Sequence, residues 1–380
     1  MNILLFILGA CIVYGLQFLF CRLTWNRGLS AGVSFSENTI REGGEVQLTI
    51  AVENRKMLPV PTVKVNVTFE RGLDFKDLSN LAVSDKNYRS EIFSLRGYER
   101  VVRNIPLICA RRGYYAVDGV DFIGNDLFYT RRFPARQAVQ ASICVLPGKA
   151  DARQLMVATQ RMYGETVVRR SDMEDPFTFR GIRQYQNFDS IRDINWKASA
   201  KTGDLRVNIH DFTAEREIAI VLDTEWDSLL RLDSLLEESI RIAASLADEF
   251  IAKGITTALI SNGRDCLTGE YFSVGGSADV RHSEAIQYGL ARVKLPDHRE
   301  NTICGLLREQ TERMDAQPDR KVSWVLISTQ TGSEIAERFR EIAERAVRAY
   351  WIIPARSVND VPEKLRGDPD VMIWEAAYGK

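Results

Sequence analysis

The side chains best suited to chemistry are concentrated between Asp175 and Leu205. Arg183, Tyr185, Asp189, Arg192 and Trp196 stand close together in that stretch. An Arg guanidinium is a planar fork of donors, matched to a carboxylate or to paired carbonyls once its neighbours fix its direction. Asp189 supplies a carboxylate between two arginines, and Tyr185 and Trp196 add rigid aromatic surface. Such a network can lock two parts of a chain together or present a docking surface to a protein partner. Around a titratable group in an apolar cleft it can also support catalysis.

Other chemistries lack their residues. No G-x-x-x-x-G-K-[ST] run is present, so the chain has no phosphate-binding loop of that type. The three histidines, His210, His282 and His298, do not fall in an H-E-x-x-H pattern. There is no G-x-S-x-G, and Gly275-Gly276-Ser277 reads as a loop. Asp172, Glu174 and Asp175 lie in a polar stretch with no apolar pocket to raise a carboxylate pKa. A formal net charge of -1 removes the basic signature of a nucleic-acid binder. Six cysteines without a C-x-x-C spacing read as reduced thiols rather than a disulfide framework or zinc site.

The elements that must position the 175–205 residues can be read on either side of them. Ser190 with Asp193, or Asp189 alone, is spaced to cap a short helix of about 190–201, with Ile191, Ile194 and Ala198 on one face. Gly203 is its stop, and Arg206–His210 is a strand. Upstream, Val46, Leu48, Ile50 and Val52 alternate with polar residues, and Val63, Val65, Val67 and Phe69 repeat the pattern. Residues 33–69 therefore read as an antiparallel strand pair with one buried face. Further β-rich runs near 91–95, 101–109, 114–123 and 139–146 complete a β-sandwich.

Downstream, Ile218–Leu222 is a continuous apolar run, as a strand buried on both faces requires. Leu229, Leu232, Leu236, Ile240, Ala243, Ala247 and Phe250 come next at helical spacing, ended by Gly254. Strands at Ile255–Ile260, Lys321–Ser328 and Ala349–Ile353 and a helix at Glu334–Arg348 make a doubly wound parallel α/β sheet. That last helix carries Glu334/Arg338 and Glu344/Arg348 as solvated i,i+4 pairs.

Residues 3–23 form one apolar run, with Arg22 and Arg27 at and after its end and no Lys or Arg before it. Its length matches the roughly 30 Å hydrocarbon core of a bilayer, and the positive-inside rule places the chain beyond Arg22 in the cytoplasm. A cleaved signal peptide would have a basic leading segment and a shorter apolar run, and neither is present. The chain thus divides into an anchor at 1–24, a β-sandwich of Ig-like type at 30–147, a bridging segment at 148–214 and an α/β domain at 215–380.

The 183–205 residues resemble the hallmark of the bacterial membrane proteins of domain-of-unknown-function family 58. The matches are Arg183, Tyr185, Asp189, Arg192, Ile194, Trp196, Ser199, Ala200, Gly203 and Leu205, with Phe188 where the family has Gly and Lys201 where it has Arg. Arg112-Gly113-Tyr114-Tyr115 and Asp126-Leu127-Phe128 resemble its upstream segments. The resemblance implies a von Willebrand factor A-like α/β domain and a MoxR-type AAA+ ATPase as partner. Such domains hold Mg²⁺ through Asp-x-Ser-x-Ser after the first strand. Here that place reads Asp223, Glu225 and Asp227, and the strand ending at Thr329 offers no Asp. Three carboxylates could hold a hard cation such as Mg²⁺ or Ca²⁺, but hydrogen bonding or capping at the next helix is the expectation, with no cofactor. The expected function is a membrane-anchored, non-enzymatic interaction scaffold. The alternatives are a metal-dependent ligand-binding protein using Asp223, Glu225 and Asp227, and an enzyme built on Arg183–Trp196.

Overall fold

The computed structural model describes residues 2–69, 72–75, 81–83, 87–125, 129–168, 179–186, 194–210, 217–227, 231–296, 298, 302–318 and 320–376. The chain forms two compact units. The first comprises Met1–Gly148 with Asp265–Thr268 and Gln287–Val293, and the second comprises Lys149–Arg264, Gly269–Ile286 and Lys294–Lys380.

The first unit opens with helix α1 (Asn2–Thr24). Its segment Phe6–Thr24 is long and apolar enough to cross a membrane. Among the described residues ten strands come after it: β1 (Leu29–Phe35), β2 (Thr39–Arg41), β3 (Glu45–Asn54), β4 (Val60–Phe69), β5 (Leu73–Phe75), β6 (Leu81–Val83), β7 (Asn87–Leu95), β8 (Arg100–Cys109), β9 (Gly113–Asn125) and β10 (Arg132–Leu146). They make one sheet in the order β1-β3-β8-β5 and another in the order β2-β10-β9-β4-β7-β6. The inward residues Val46, Leu48, Ile50 and Val52 meet Val63, Val65 and Val67 in one core. Burying each such side chain contributes about 1.5–3 kcal/mol.

The expected pairing within 33–69 is corrected here. β3 pairs with β1 and β8, whereas β4 pairs with β7 and β9. The two strands lie in opposite sheets. Alternation marks which face is buried, and a facing sheet buries it as well as a neighbouring strand would. A salt-bridged triad ties the sheets together: Arg89 donates to Glu91 at 2.7 Å, Arg103 pairs with the other Glu91 oxygen, and Arg89 and Glu91 are both buried. Cys109, Cys144 and Cys304 are free and buried, and burial pushes each thiol up to about 11.

The second unit begins with α2 (Ala152–Val168), which had no sequence expectation, then β11 (Phe179–Gln184), α3 (Trp196–Thr202) and β12 (Arg206–His210). Its main sheet uses β13 (Glu217–Leu222), β14 (Thr256–Asp265), β15 (Tyr271–Ser277), β16 (Val293–Lys294), β17 (Val322–Ile327), β18 (Arg348–Ala355) and β19 (Val371–Glu375). The order is β15-β14-β13-β17-β18-β19, with β16 on β14. Neighbours from β14 to β19 are parallel and the edge strand β15 is antiparallel. The helices are α4 (Asp233–Ala252), α5 (Val280–Arg292, counted with the first unit from Gln287 on, as is Val293 of β16), α6 (Ile303–Ala316), α7 (Ser333–Arg345) and α8 (Glu363–Arg366).

α6 and α7 share one core with Ala219, Val221, Trp324, Leu326, Trp351 and Ile353. Strand alternation turns Ile220 and Leu222 to the other face, and α4 lies along β13, β17 and β18. The edge strand β19 is covered by Gln154 of α2, which exchanges hydrogen bonds with the Glu375 backbone at 2.8 and 3.0 Å. The expected charge pairs on α7 are replaced. Arg338 forks onto Glu341 at 3.0 Å, Arg345 reaches Asp315 at 2.8 Å, and Arg348 lies beyond the helix in β18.

Candidate functional site

Two places gather the residues singled out above, and both belong to the second unit. The first is the turn between β11 and β12, which pair antiparallel from Phe179↔His210 to Gln184↔Arg206. The Tyr185 N–H donates to Leu205 O at 2.9 Å and the Asn195 N–H to Arg206 O at 2.8 Å, which close the base of the turn. The expected helix over 190–201 is corrected at its start: α3 begins at Trp196. Ile194, placed on a helix face by the sequence, instead forms a bridge to Val207, and both side chains are buried. Asp189, Arg192, Ser190, Ile191 and Asp193 lie outside the described residues.

The cap that starts α3 is Asn195, whose side-chain oxygen accepts from the Ala198 N–H at 2.9 Å. The hallmark pattern does not include it. The available signal was an Asn immediately before the helix-forming Trp-Lys-Ala-Ser-Ala run. Ser199 is buried; its Oγ donates to Asn195 O at 2.9 Å and accepts from the Arg206 N–H at 2.8 Å. Gly203 stops the helix as expected, at φ 80° with its N–H on Ser199 O, a left-handed conformation that suits glycine. Arg183 is half-buried and donates to Gln184 O at 3.2 Å.

Ile194, Ser199 and Gly203 therefore build the turn, and Trp196 does something else. Its side chain is 64 % exposed. Ala200, one turn further along α3 and also exposed, carries only a methyl group beside the indole. The result is a large aromatic surface held in water by a fixed backbone frame.

The second place is the carboxyl end of the parallel sheet. From β13 the chain runs to β14 on one side and later to β17 on the other, so the sheet order reverses between β13 and β17. Crevices at such reversals are the usual ligand sites of doubly wound sheets. Asp223 sits there, fully buried. Its Oδ1 accepts from the Glu225 N–H at 3.0 Å and Asn262 Nδ2 at 2.8 Å. Its Oδ2 accepts from Ser328 Oγ at 2.6 Å and Gln330 Nε2 at 3.0 Å. Burial pushes the Asp223 carboxyl up to about 6, opposed by the hydrogen bonds from Ser328, Glu225 and Asn262 and aided by the nearby Glu225 charge. Asn262 also accepts from the Thr224 N–H at 2.8 Å.

Glu225 is buried and accepts from the Thr302 N–H and hydroxyl at 3.1 and 3.0 Å, at the start of α6. Asp227 is exposed and accepts from the Thr331 N–H at 2.7 Å, just before α7. The carboxylates thus sit at helix N-termini, where the dipole favours anions, but the helices are α6 and α7. The next helix in the chain, α4, has Leu232 at its N-cap position and no side-chain cap.

The three acidic residues do not converge on a common point as cation ligands must. Among the described residues no cluster of three or more His, Cys, Asp or Glu side chains could hold a metal ion. Where a cation site would place an acidic ligand after β17, this chain has the donors Ser328 and Gln330. The donor set suits a carboxylate enclosed by protein, not a hard cation.

Residues 181–353 match the family model described as Protein of unknown function DUF58, a span that holds both places. No curated protein matches the chain significantly. Solved structures similar to it include a non-cellulosomal cohesin from Archaeoglobus fulgidus, at 10 % identity over 31 % of this chain and 91 % of that one, TM-score 0.22. Another is the CARDB domain of the PF1109 protein from Pyrococcus furiosus, at 15 % identity over 29 % and 88 %, TM-score 0.19. A third is the human CEP192 ASH / PapD-like domain, at 15 % identity over 31 % and 86 %, TM-score 0.20.

Proposed function

We propose that this chain, whose residues 181–353 match the DUF58 family, is a membrane-anchored, non-enzymatic protein-interaction scaffold that works with a MoxR-type AAA+ ATPase. The observation that carries the reading is Trp196. A solvent-exposed indole on a frame fixed by Asn195, Ser199 and Gly203 is the anchor type that dominates protein interfaces, and little entropy is lost when it docks. The ATPase partner is drawn from the family resemblance, and the lack of a phosphate-binding loop agrees with nucleotide chemistry residing in a partner. The α/β unit is von Willebrand factor A-like in this reading. Support comes from its parallel order with an antiparallel edge and from an Asp directly after its central strand. Arg22 and Arg27 at the end of the apolar helix favour a cytoplasmic body at the inner membrane.

The test is a crosslinked pull-down from membranes, with Trp196→Ala as control and its folding checked by melting temperature. Recovery of an AAA+ ATPase by the native chain and its loss in the folded variant supports the proposal. Equal recovery by both removes Trp196 from the interface, and recovery by neither removes the partner.

A further inference from the structure

The first unit has one end at which α1, β3, β7 and β9 finish and β1, β4, β8 and β10 begin. The registers require this: Leu29 pairs with Asn54, Val60 with Leu95, Glu53 with Arg100 and Asn125 with Arg132. Four connections therefore crowd around the exit of α1. Three of them are tied to one another by hydrogen bonds and close packing. Lys56 Nζ donates to Thr24 O and Trp25 O at 2.6 and 2.5 Å, which closes the C-terminus of the helix. The buried Asn54 side chain donates to Leu58 O at 2.9 Å and Arg96 O at 2.8 Å. The Tyr98 N–H donates to Lys56 O at 3.1 Å. Gly97 lies so close to Met57 O that a Cβ there would overlap it.

On this end the apolar side chains point outward. Met57 is 81 % exposed, Tyr98 74 % and Tyr129 61 %. Tyr98 and Tyr129 are also the non-glycine residues with positive φ among those described, at 56° and 58°. That conformation is unusual for a bulky residue; Tyr98 stands out at its turn, and Tyr129 leaves its ring exposed while its hydroxyl lies 2.6 Å from Thr62 Oγ1 of β4. Each connection also carries exposed arginines: Arg27 after α1, Arg55 after β3, Arg96 and Arg100 around the β7–β8 turn, and Arg131 with Arg132 before β10. Glu53, Glu99 and Asp126 are the acidic residues in the same stretches.

The β9–β10 connection runs beside the helix itself. Tyr14 and Thr130 hydroxyls are 2.8 Å apart, Phe18 packs on Phe133 with ring centroids at 5.7 Å, and Arg131 lies over Phe18. Tyr14 precedes the end of α1 by about 15 Å at the helical rise. The tip of this connection, with Tyr129 and Arg131, therefore lies on the bilayer side of the helix exit, beside the C-terminal half of α1.

We infer that this end of the β-sandwich is a membrane-apposed face, with Met57 and Tyr98 in the interfacial layer, the Tyr129 tip further in beside α1, and the surrounding arginines on anionic lipid phosphates. Tyrosine favours that layer because its ring is apolar and its hydroxyl wet, and an anionic leaflet attracts clustered Arg. The inference rests on α1 entering a bilayer.

The experiment is hydroxyl-radical footprinting of the full chain in nanodiscs of phosphatidylcholine with phosphatidylglycerol. Tyr271, 44 % exposed in the second unit, is the internal reference. By exposure alone, Tyr98 and Tyr129 react faster than Tyr271. On a membrane face the order inverts, with Met57, Tyr98 and Tyr129 protected at least fivefold. Protection of α1 without that inversion overturns the proposal and leaves the anchor standing. Reactive α1 together with reactive Tyr98 overturns both. The double variant Arg96→Glu, Arg131→Glu should lose at least half of the Tyr98 protection while α1 stays protected. Unchanged protection overturns the assignment to anionic lipid.

Discussion

Ser328 Oγ donates to Asp223 Oδ2 at 2.6 Å, joining the ends of β17 and β13 where the strand order reverses. The position that an open α/β sheet usually leaves for a ligand is thus closed by its own side chains, and the carboxylate stays buried among protein donors.

That burial sets a pH dependence. The Asp223 carboxyl titrates near 6 when folded against 3.8 for the ordinary group, so folding favours the protonated form. Its contribution is fully present below about pH 4 and is lost as pH rises through about 6, by roughly 3 kcal/mol. Denaturant titrations of the detergent-solubilised chain from pH 4 to 7 should show this fall relative to Asp223→Asn. Parallel curves for the two proteins would contradict it.

Asn262 carries both halves of a relay, donating to Asp223 and accepting from Thr224. Asn262→Ala leaves a buried acceptor and a buried N–H without this partner and should cost about 2–4 kcal/mol in urea unfolding. A loss under about 0.5 kcal/mol would mean that water replaces the amide.

Within the sandwich, Glu91 neutralises the buried Arg89 and reaches Arg103 of the other sheet. Glu91→Ala removes the buried carboxylate that faces Arg89 and should cost about 3–5 kcal/mol. Glu91→Ala with Arg89→Leu should recover much of this, as read from the urea midpoints.

The hallmark turn separates frame from surface. Asn195→Ala removes the α3 cap and should destabilise by about 1 kcal/mol. Trp196→Ala, at an exposed position, should stay within about 0.5 kcal/mol of the native chain. Melting curves that rank the two in the opposite order would place the indole in the core.

Cations should find no open ligand set at Asp223, Glu225 and Asp227, because each accepts from a protein N–H. Millimolar Mg²⁺ or Ca²⁺ should leave the melting temperature unchanged to about 1 °C, and a saturable rise of several degrees would show a metal-bound state.

Some of this was written in the residues. The uncharged run at 3–21, the alternation of Val46–Val52 and the apolar block Ile218–Leu222 are local patterns, and each names its element because strand and helix periods act over a few residues. The family match over 181–353 agrees with the Arg183–Gly203 hallmark for a similar reason, since fixed spacing survives where partners are unknown. Tertiary structure decided the rest. Alternation could not say that β3 and β4 face each other across a core instead of pairing. Nor could spacing show that Asp223 meets Ser328, Gln330 and Asn262 rather than Glu225 and Asp227 around a cation. Those partners come from strands far apart in the chain, and only the crossover between β13 and β17 brings them within a hydrogen bond of one another.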